Sequence, residues 1–181
     1  MGTDTEEREV ACPCGDGKII VTVSTPDHGW LSAYNVHRSA QIMCPSCSGE
    51  FLIDRMCVVR RDEFNANKIG WECWRNAHKA FDAAEDVLRV KAEFAEYLKK
   101  FKSVAAIHRH LVEHQLDNHS IGTFRRNWNG EEDWVGKRIG SYNIAKILSL
   151  LGKATDGFSE RIREIETLQA TIPNARVVMT L

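Results

Sequence analysis

Two short stretches decide how this chain folds: Cys12-Pro13-Cys14-Gly15 and Cys44-Pro45-Ser46-Cys47, the second followed by Ser48-Gly49. Within each, two thiols are close enough to converge on one point from a single turn. Between them, Lys18 to Thr25 (KIIVTVST) is rich in β-branched residues and ends at the turn sequence Pro26-Asp27-His28-Gly29. Tyr34 to Met43 and Glu50 to Arg60 supply two more strand candidates. Antiparallel return of the chain between the cysteine pairs brings the second pair back to the first. Gly15 and Gly49 stand just past each pair, where a tight turn favours a residue tolerant of positive φ.

Four sulfur ligands on two turns satisfy the tetrahedral preference of zinc, with Zn–S distances of about 2.3 Å. Cys12, Cys14, Cys44 and Cys47 are therefore expected to hold Zn2+. One residue, instead of two, separates the first pair, so His28 or His37 could take the place of Cys12. The pattern C-P-C-G…C-P-x-C-x-G resembles a zinc ribbon over residues 10–58. A closed four-sulfur site leaves no position open for water, so the metal is expected to be structural. Cys57 and Cys73 stand alone in the sequence and are expected to be small buried apolar groups. Arg38, Arg55, Arg60 and Arg61 lie on or near the strands, with Trp30 and Tyr34 in the intervening loop. This mixture suits either base stacking and phosphate pairing or, for the aromatics, a small local core.

Composition bounds the remainder. The 181 residues carry a formal net charge of -1, with 43% hydrophobic and 27% charged residues. These values exclude a wholly disordered chain, a strongly basic nucleic-acid coat and an acidic mimic of DNA. No apolar run is long enough to span a membrane, and the acidic start, Met1 to Val10, does not read as a signal peptide. The expected compartment is the cytoplasm, with no membrane partner. The fold class is α+β: a small antiparallel β zinc ribbon followed by a mainly helical bundle. Residues 1–9 read as a flexible acidic tail, 10–61 as the zinc-ribbon module and 62–181 as the helical domain.

In the helical half, Trp74, Ala77, Phe81, Ala84, Leu88, Ala95 and Leu98 recur at three- and four-residue steps, flanked by Val87, Phe94 and Phe101. One long helix over 71–101 is expected, with Lys91 near its apolar stripe. Later helices are expected at 104–114, 121–128, 138–151 and 158–170, and a short docked strand at 176–181. Those helices need a partner face of their own, which favours a monomer folded back on itself over a homodimer.

Within segment 103–129, Ser103 and Ser120 are suited to cap two helices. Ala106, Ile107 and Leu111 would face inward, Leu116 would plug the turn, and Ile121, Phe124 and Trp128 would anchor the second helix. That leaves Thr123, Arg125, Arg126, Asn127 and Asn129 outward, residue types that reach phosphates and base edges, with Thr123, Arg125, Arg126 and Asn127 as the expected contacts. The segment resembles a helix-turn-helix, and its S-x-x-T-F-R-R ending resembles recognition helices of small bacterial and mobile-element regulators. The resemblance implies a nucleic-acid-binding regulator of phage or plasmid origin, acting on DNA in preference to RNA. The competing expectation is a protein-binding adaptor or inhibitor of a host or defence complex, docking through Trp128 and Trp134. His110-Leu111-Val112-Glu113-His114 has the inverted metallopeptidase spacing, which surface histidines explain better in so small a chain. No nucleophile, phosphate-loop or dinucleotide motif is present, so binding without catalysis is expected.

Overall fold

Backbone pairing, not side-chain character, organises the N-terminal end. In a computed structural model that describes residues 3–26 and 36–181, strands β1 (Thr3–Ala11), β2 (Lys18–Pro26) and β3 (His37–Ile42) form an antiparallel sheet in that order. The register runs from Thr3↔Pro26 to Ala11↔Lys18, and from Ser24↔His37 to Ile19↔Ile42. Residues 3–9 are therefore an edge strand and not a tail. Their acidic side chains are exposed, and an edge needs no apolar face because its ladder is made by the main chain. Glu9 also pairs with Lys18 across the hairpin.

Helix α1 (Pro45–Glu50) follows, then a hairpin of β4 (Phe51–Asp54) and β5 (Cys57–Arg60). The expected single strand over 50–60 is thus split, with Arg55 and Met56 at φ 46° and 62° making the turn. The expected C-terminal strand is present as β6 (Val177–Thr180), antiparallel to β5. Residues 172–181 belong with residues 1–71 in one compact unit, and residues 72–171 form the second. The division at 61/62 expected from composition is replaced by this one, because β6 completes the β4–β5 sheet. The amide of Asn67 donates to the carbonyl of Pro173 at 2.7 Å, and the N–H of Arg176 donates to Glu63 at 2.8 Å. The core of this unit joins Cys12, Ile19, Val21, Cys44, Cys47, Phe51 and Val58.

The second unit is helical. α2 (Arg61–Asp82) enters it, followed by α3 (Glu85–Leu98), α4 (Val104–Glu113), α5 (Ile121–Asn127), α6 (Glu131–Arg138), α7 (Ile144–Leu150) and α8 (Asp156–Ala170). The single helix expected over 71–101 is broken at Ala83-Ala84, with Ala84 extended at φ -65°, ψ 136°. The break changes the phase of the apolar stripe. Val87, Val90, Phe94 and Leu98 turn inward, while Leu88 is 53% exposed. Later helices cover that face: Phe94 and Leu98 share a core with Ile107, Leu111, Phe124, Trp134, Ile147 and Ile165. Lys91 is buried here, its ammonium 3.4 Å from Asp82. The expected helix at 138–151 resolves differently, into α6 beginning at Glu131 and α7 beginning at Ile144. Three acids in the first turn of α6 and Lys137 and Arg138 in its last match the helix dipole. Among the described residues, no helix is long and apolar enough to cross a membrane.

Candidate metal centre

The sheet register places both cysteine pairs at one end. The β1–β2 connection, residues 12–17, carries Cys12 and Cys14, and the chain leaving β3 reaches Cys44 at the N-terminus of α1. Pro45 opens that helix, and the N–H of Ser48 donates to the carbonyl of Cys44 at 2.9 Å, so Cys44 and Cys47 lie on one helical turn. On the other side, the N–H of Gly15 donates to the carbonyl of Cys12 at 2.9 Å, and the N–H of Cys12 to the carbonyl of Gly17 at 3.1 Å.

These turns gather four sulfurs within 4.8 Å of one another. Sγ of Cys14 is 3.6 Å from that of Cys44, Sγ of Cys47 is 3.6 Å from that of Cys12, and Cys12 and Cys14 are 2.9 Å apart. Four sulfurs at about 2.3 Å from one ion would be roughly 3.8 Å apart in a tetrahedron, so the cluster is close to closure around a metal. Cys12, Cys44 and Cys47 are buried and Cys14 is exposed, which leaves one edge of the cluster open to exchange. The thiol of Cys12 is drawn down to about 6, first by its hydrogen bond with Cys14. Cys47 is pushed up to about 12 by its contact with Cys14 and by burial. A four-cysteine site binds its cation through thiolates, so metal binding there releases protons.

All four cysteines expected from the sequence come together, and the one-residue spacing of the first pair does not exclude Cys12. His37, the alternative to Cys12, begins β3 opposite Ser24 and is not among the clustered ligands. His28, Trp30 and Tyr34 lie outside the described residues. Gly15 does take positive φ, at 83°, but Gly49 lies inside α1 and does not. The glycine that the sequence reading missed is Gly17. A Cβ there would stand 2.5 Å from Cβ and 3.0 Å from Sγ of Cys44. Only a residue without a side chain lets the two knuckles approach this closely. Cys57 is half-buried and Cys73 exposed, so neither is the fully buried group expected.

Of the four arginines expected on or near the strands, Arg60 and Arg61 are committed to the unit's own structure, while Arg38 and Arg55 are exposed. Arg61 donates to the carbonyls of Ser48, Gly49 and Phe51, closing the end of α1. Arg60 pairs with Glu50 at 3.3 Å and lies over the ring of Phe51.

In the helical unit, Ser103 and Ser120 cap α4 and α5 as expected, accepting from the N–H groups of Ala106 and Thr123. Leu116 is buried, and Gln115 takes the left-handed position at φ 56° that a glycine would usually fill. Residues 114–120 connect the helices, more than the about three to four of a compact helix-turn-helix. Arg125 and Arg126 are exposed, Thr123 and Asn127 half-buried, and Arg126 donates to the hydroxyl of Thr123 at 3.2 Å. Trp128 is half-buried against Phe124 and Trp134. Trp134 is only 4% exposed, a core residue and not an exposed docking aromatic, because α6 begins early enough to turn it inward.

Ser141, His78 and Asp82 form a constellation that no sequence motif announced. The hydroxyl of Ser141 is 3.3 and 3.2 Å from the two ring nitrogens of His78, whose Nδ1 is 3.3 Å from Asp82. Near-equal distances to both nitrogens place the hydroxyl beside the ring, not along one lone pair. Ser141 is 2% exposed, and its hydroxyl ties the segment between α6 and α7 to α2.

Comparison of the chain with protein-family models, with curated proteins and with solved structures returns no match. The cysteine cluster therefore stands on its own geometry: four sulfurs that could hold a metal ion in a small β region.

Proposed function

We propose that this protein is a zinc-stapled, non-enzymatic nucleic-acid-binding regulator, acting on DNA in preference to RNA. The observation that carries the metal is the four-sulfur cluster of Cys12, Cys14, Cys44 and Cys47. Zinc is favoured over other cations by the all-thiolate donor set on two turns, and a closed set of four leaves no position for catalysis.

The nucleic-acid reading is supported by α5, capped by Ser120 and anchored by buried Phe124, which holds Arg125 and Arg126 outward side by side. Around it, residues 102–153 carry eight Lys and Arg against five Asp and Glu, an excess of three positive charges in a chain of net charge -1. The competing adaptor reading keeps Trp128 but loses Trp134 to the core.

Two measurements test the proposal. Elemental analysis of untagged protein is expected to give one zinc per chain; absence of zinc refutes the metal assignment. Titration against single- and double-stranded DNA and RNA at low and physiological salt is expected to show salt-dependent binding, strongest for DNA. Arg125→Ala with Arg126→Ala should weaken it and flatten the salt slope by about two phosphate contacts. The melting temperature should barely change, since exposed arginines contribute little to stability. No binding to any nucleic acid at low salt would transfer the function to a protein partner.

A further inference from the structure

A second group of potential ligands lies in the helical unit. His110 and Glu113 of α4, with His114 at its C-terminal cap, place one ligand atom each within 4.8 Å of the others. We infer that these three side chains form a second, exposed site for a borderline divalent transition metal, independent of the cysteine cluster and of the proposed nucleic-acid surface. Helical geometry supplies the arrangement, because residues three and four apart share one face. Imidazole nitrogen is the donor that zinc, nickel and copper(II) share, and one carboxylate adds charge neutralisation.

His110 is already oriented. Its ring packs against Phe101, with centroids 4.6 Å apart, and its Nε2 is 3.3 Å from the hydroxyl of Tyr97. In the tautomer that donates Nε2–H to Tyr97, the lone pair on Nδ1 is left for a metal. This is the outer hydrogen bond that fixes the tautomer of a metal-ligating histidine. The ring of His114 meets that of His110 edge-on at 4.6 Å. His114 and Glu113 are exposed and free to rotate the remaining distance. Two nitrogens bound at about 2.0 Å subtend roughly 3.3 Å in a tetrahedron, so closure from within 4.8 Å requires a shift of at most about 1.5 Å.

Three protein ligands leave at least one position for water or for a ligand from a partner. Two ammonium groups stand nearby and oppose a cation: Lys146, which donates to the carbonyl of Gln115, and Lys100, over the ring of Tyr97. The site is therefore a reversible one. A metal bridging one turn would also clamp the end of α4, directly before the Gln115 turn that leads to α5.

The test is calorimetric titration of the full-length, zinc-loaded protein with Ni2+, with zinc content followed by elemental analysis. One saturable nickel equivalent is expected while the resident zinc is retained. His114→Ala removes an exposed ligand without touching the core, and should weaken nickel binding at least tenfold. Tyr97→Phe should weaken it by a smaller factor. His119→Ala, a histidine outside the cluster, should leave it unchanged. Nickel should also slow amide exchange over residues 110–116. Absence of a saturable equivalent, or equal affinity in wild type and His114→Ala, overturns the inference. Nickel that only displaces zinc from the cysteines overturns it as well.

Discussion

Gly17→Ala is the sharpest perturbation of the metal centre. The new methyl carbon would lie 2.5 Å from Cβ, 3.2 Å from Cα and 3.0 Å from Sγ of Cys44. Carbon atoms rest at about 3.5–4.0 Å, so the two knuckles must separate by roughly 1 Å. A metal site tolerates departures of about 0.2 Å in its ligand distances, and the backbone of Cys44 cannot yield cheaply because it caps α1. Overpacking of this kind costs about 1–3 kcal/mol. Metal binding and folding of this unit are coupled, so the same amount appears as a roughly 5- to 150-fold loss of zinc affinity. The assay is zinc competition against a chromophoric chelator, comparing wild type, Gly17→Ala and Gly49→Ala. At Gly49 an added Cβ meets nothing within 4 Å and sits inside a helix, so affinity there should match wild type. Equal affinity of Gly17→Ala and wild type, within twofold, would refute the claim that the knuckles close on one metal at this approach.

Cys44→Ser, or chelation of the metal, should abolish stoichiometric zinc and disorder the N-terminal unit. The helical signal of residues 72–171 should persist in circular dichroism, because that unit has its own core. Phe94→Ala, at a fully buried position, should cost about 3–5 kcal/mol in chemical denaturation, whereas Leu88→Ala at 53% exposure should stay within about 0.5 kcal/mol. A reversed order would mean that α2 and α3 are one uninterrupted helix. Lys91→Met should change stability by no more than about 1 kcal/mol in either direction, since relief of a buried ammonium offsets the loss of its pair with Asp82, which is 38% exposed and stays solvated. A large destabilisation would show that the Lys91–Asp82 pair is indispensable.

The spacing of the cysteines, the caps at Ser103 and Ser120 and the burial of Leu116 and Phe124 are local properties, and the sequence alone determined them. Two thiols within one turn converge wherever that turn is placed, and a serine hydroxyl caps the helix that begins beside it. The same holds for the α+β class, because β-branched runs and three-to-four periodicity are short-range patterns. Tertiary structure decided the rest. Residues 3–9 become a strand because β2 offers a free ladder, for which acidic side chains carry no signal. Residues 177–180 return to β5 across more than a hundred residues, a pairing that no local pattern encodes. The break at Ala83-Ala84 is set by which face the later helices cover: alanine favours helix, and only packing selects Val87 over Leu88 as the inward residue. Gly17 looks like any loop glycine until Cys44 is brought against it from the far end of β3. Likewise, His110 becomes an oriented ligand only when Tyr97 and Phe101 arrive from outside its own helix.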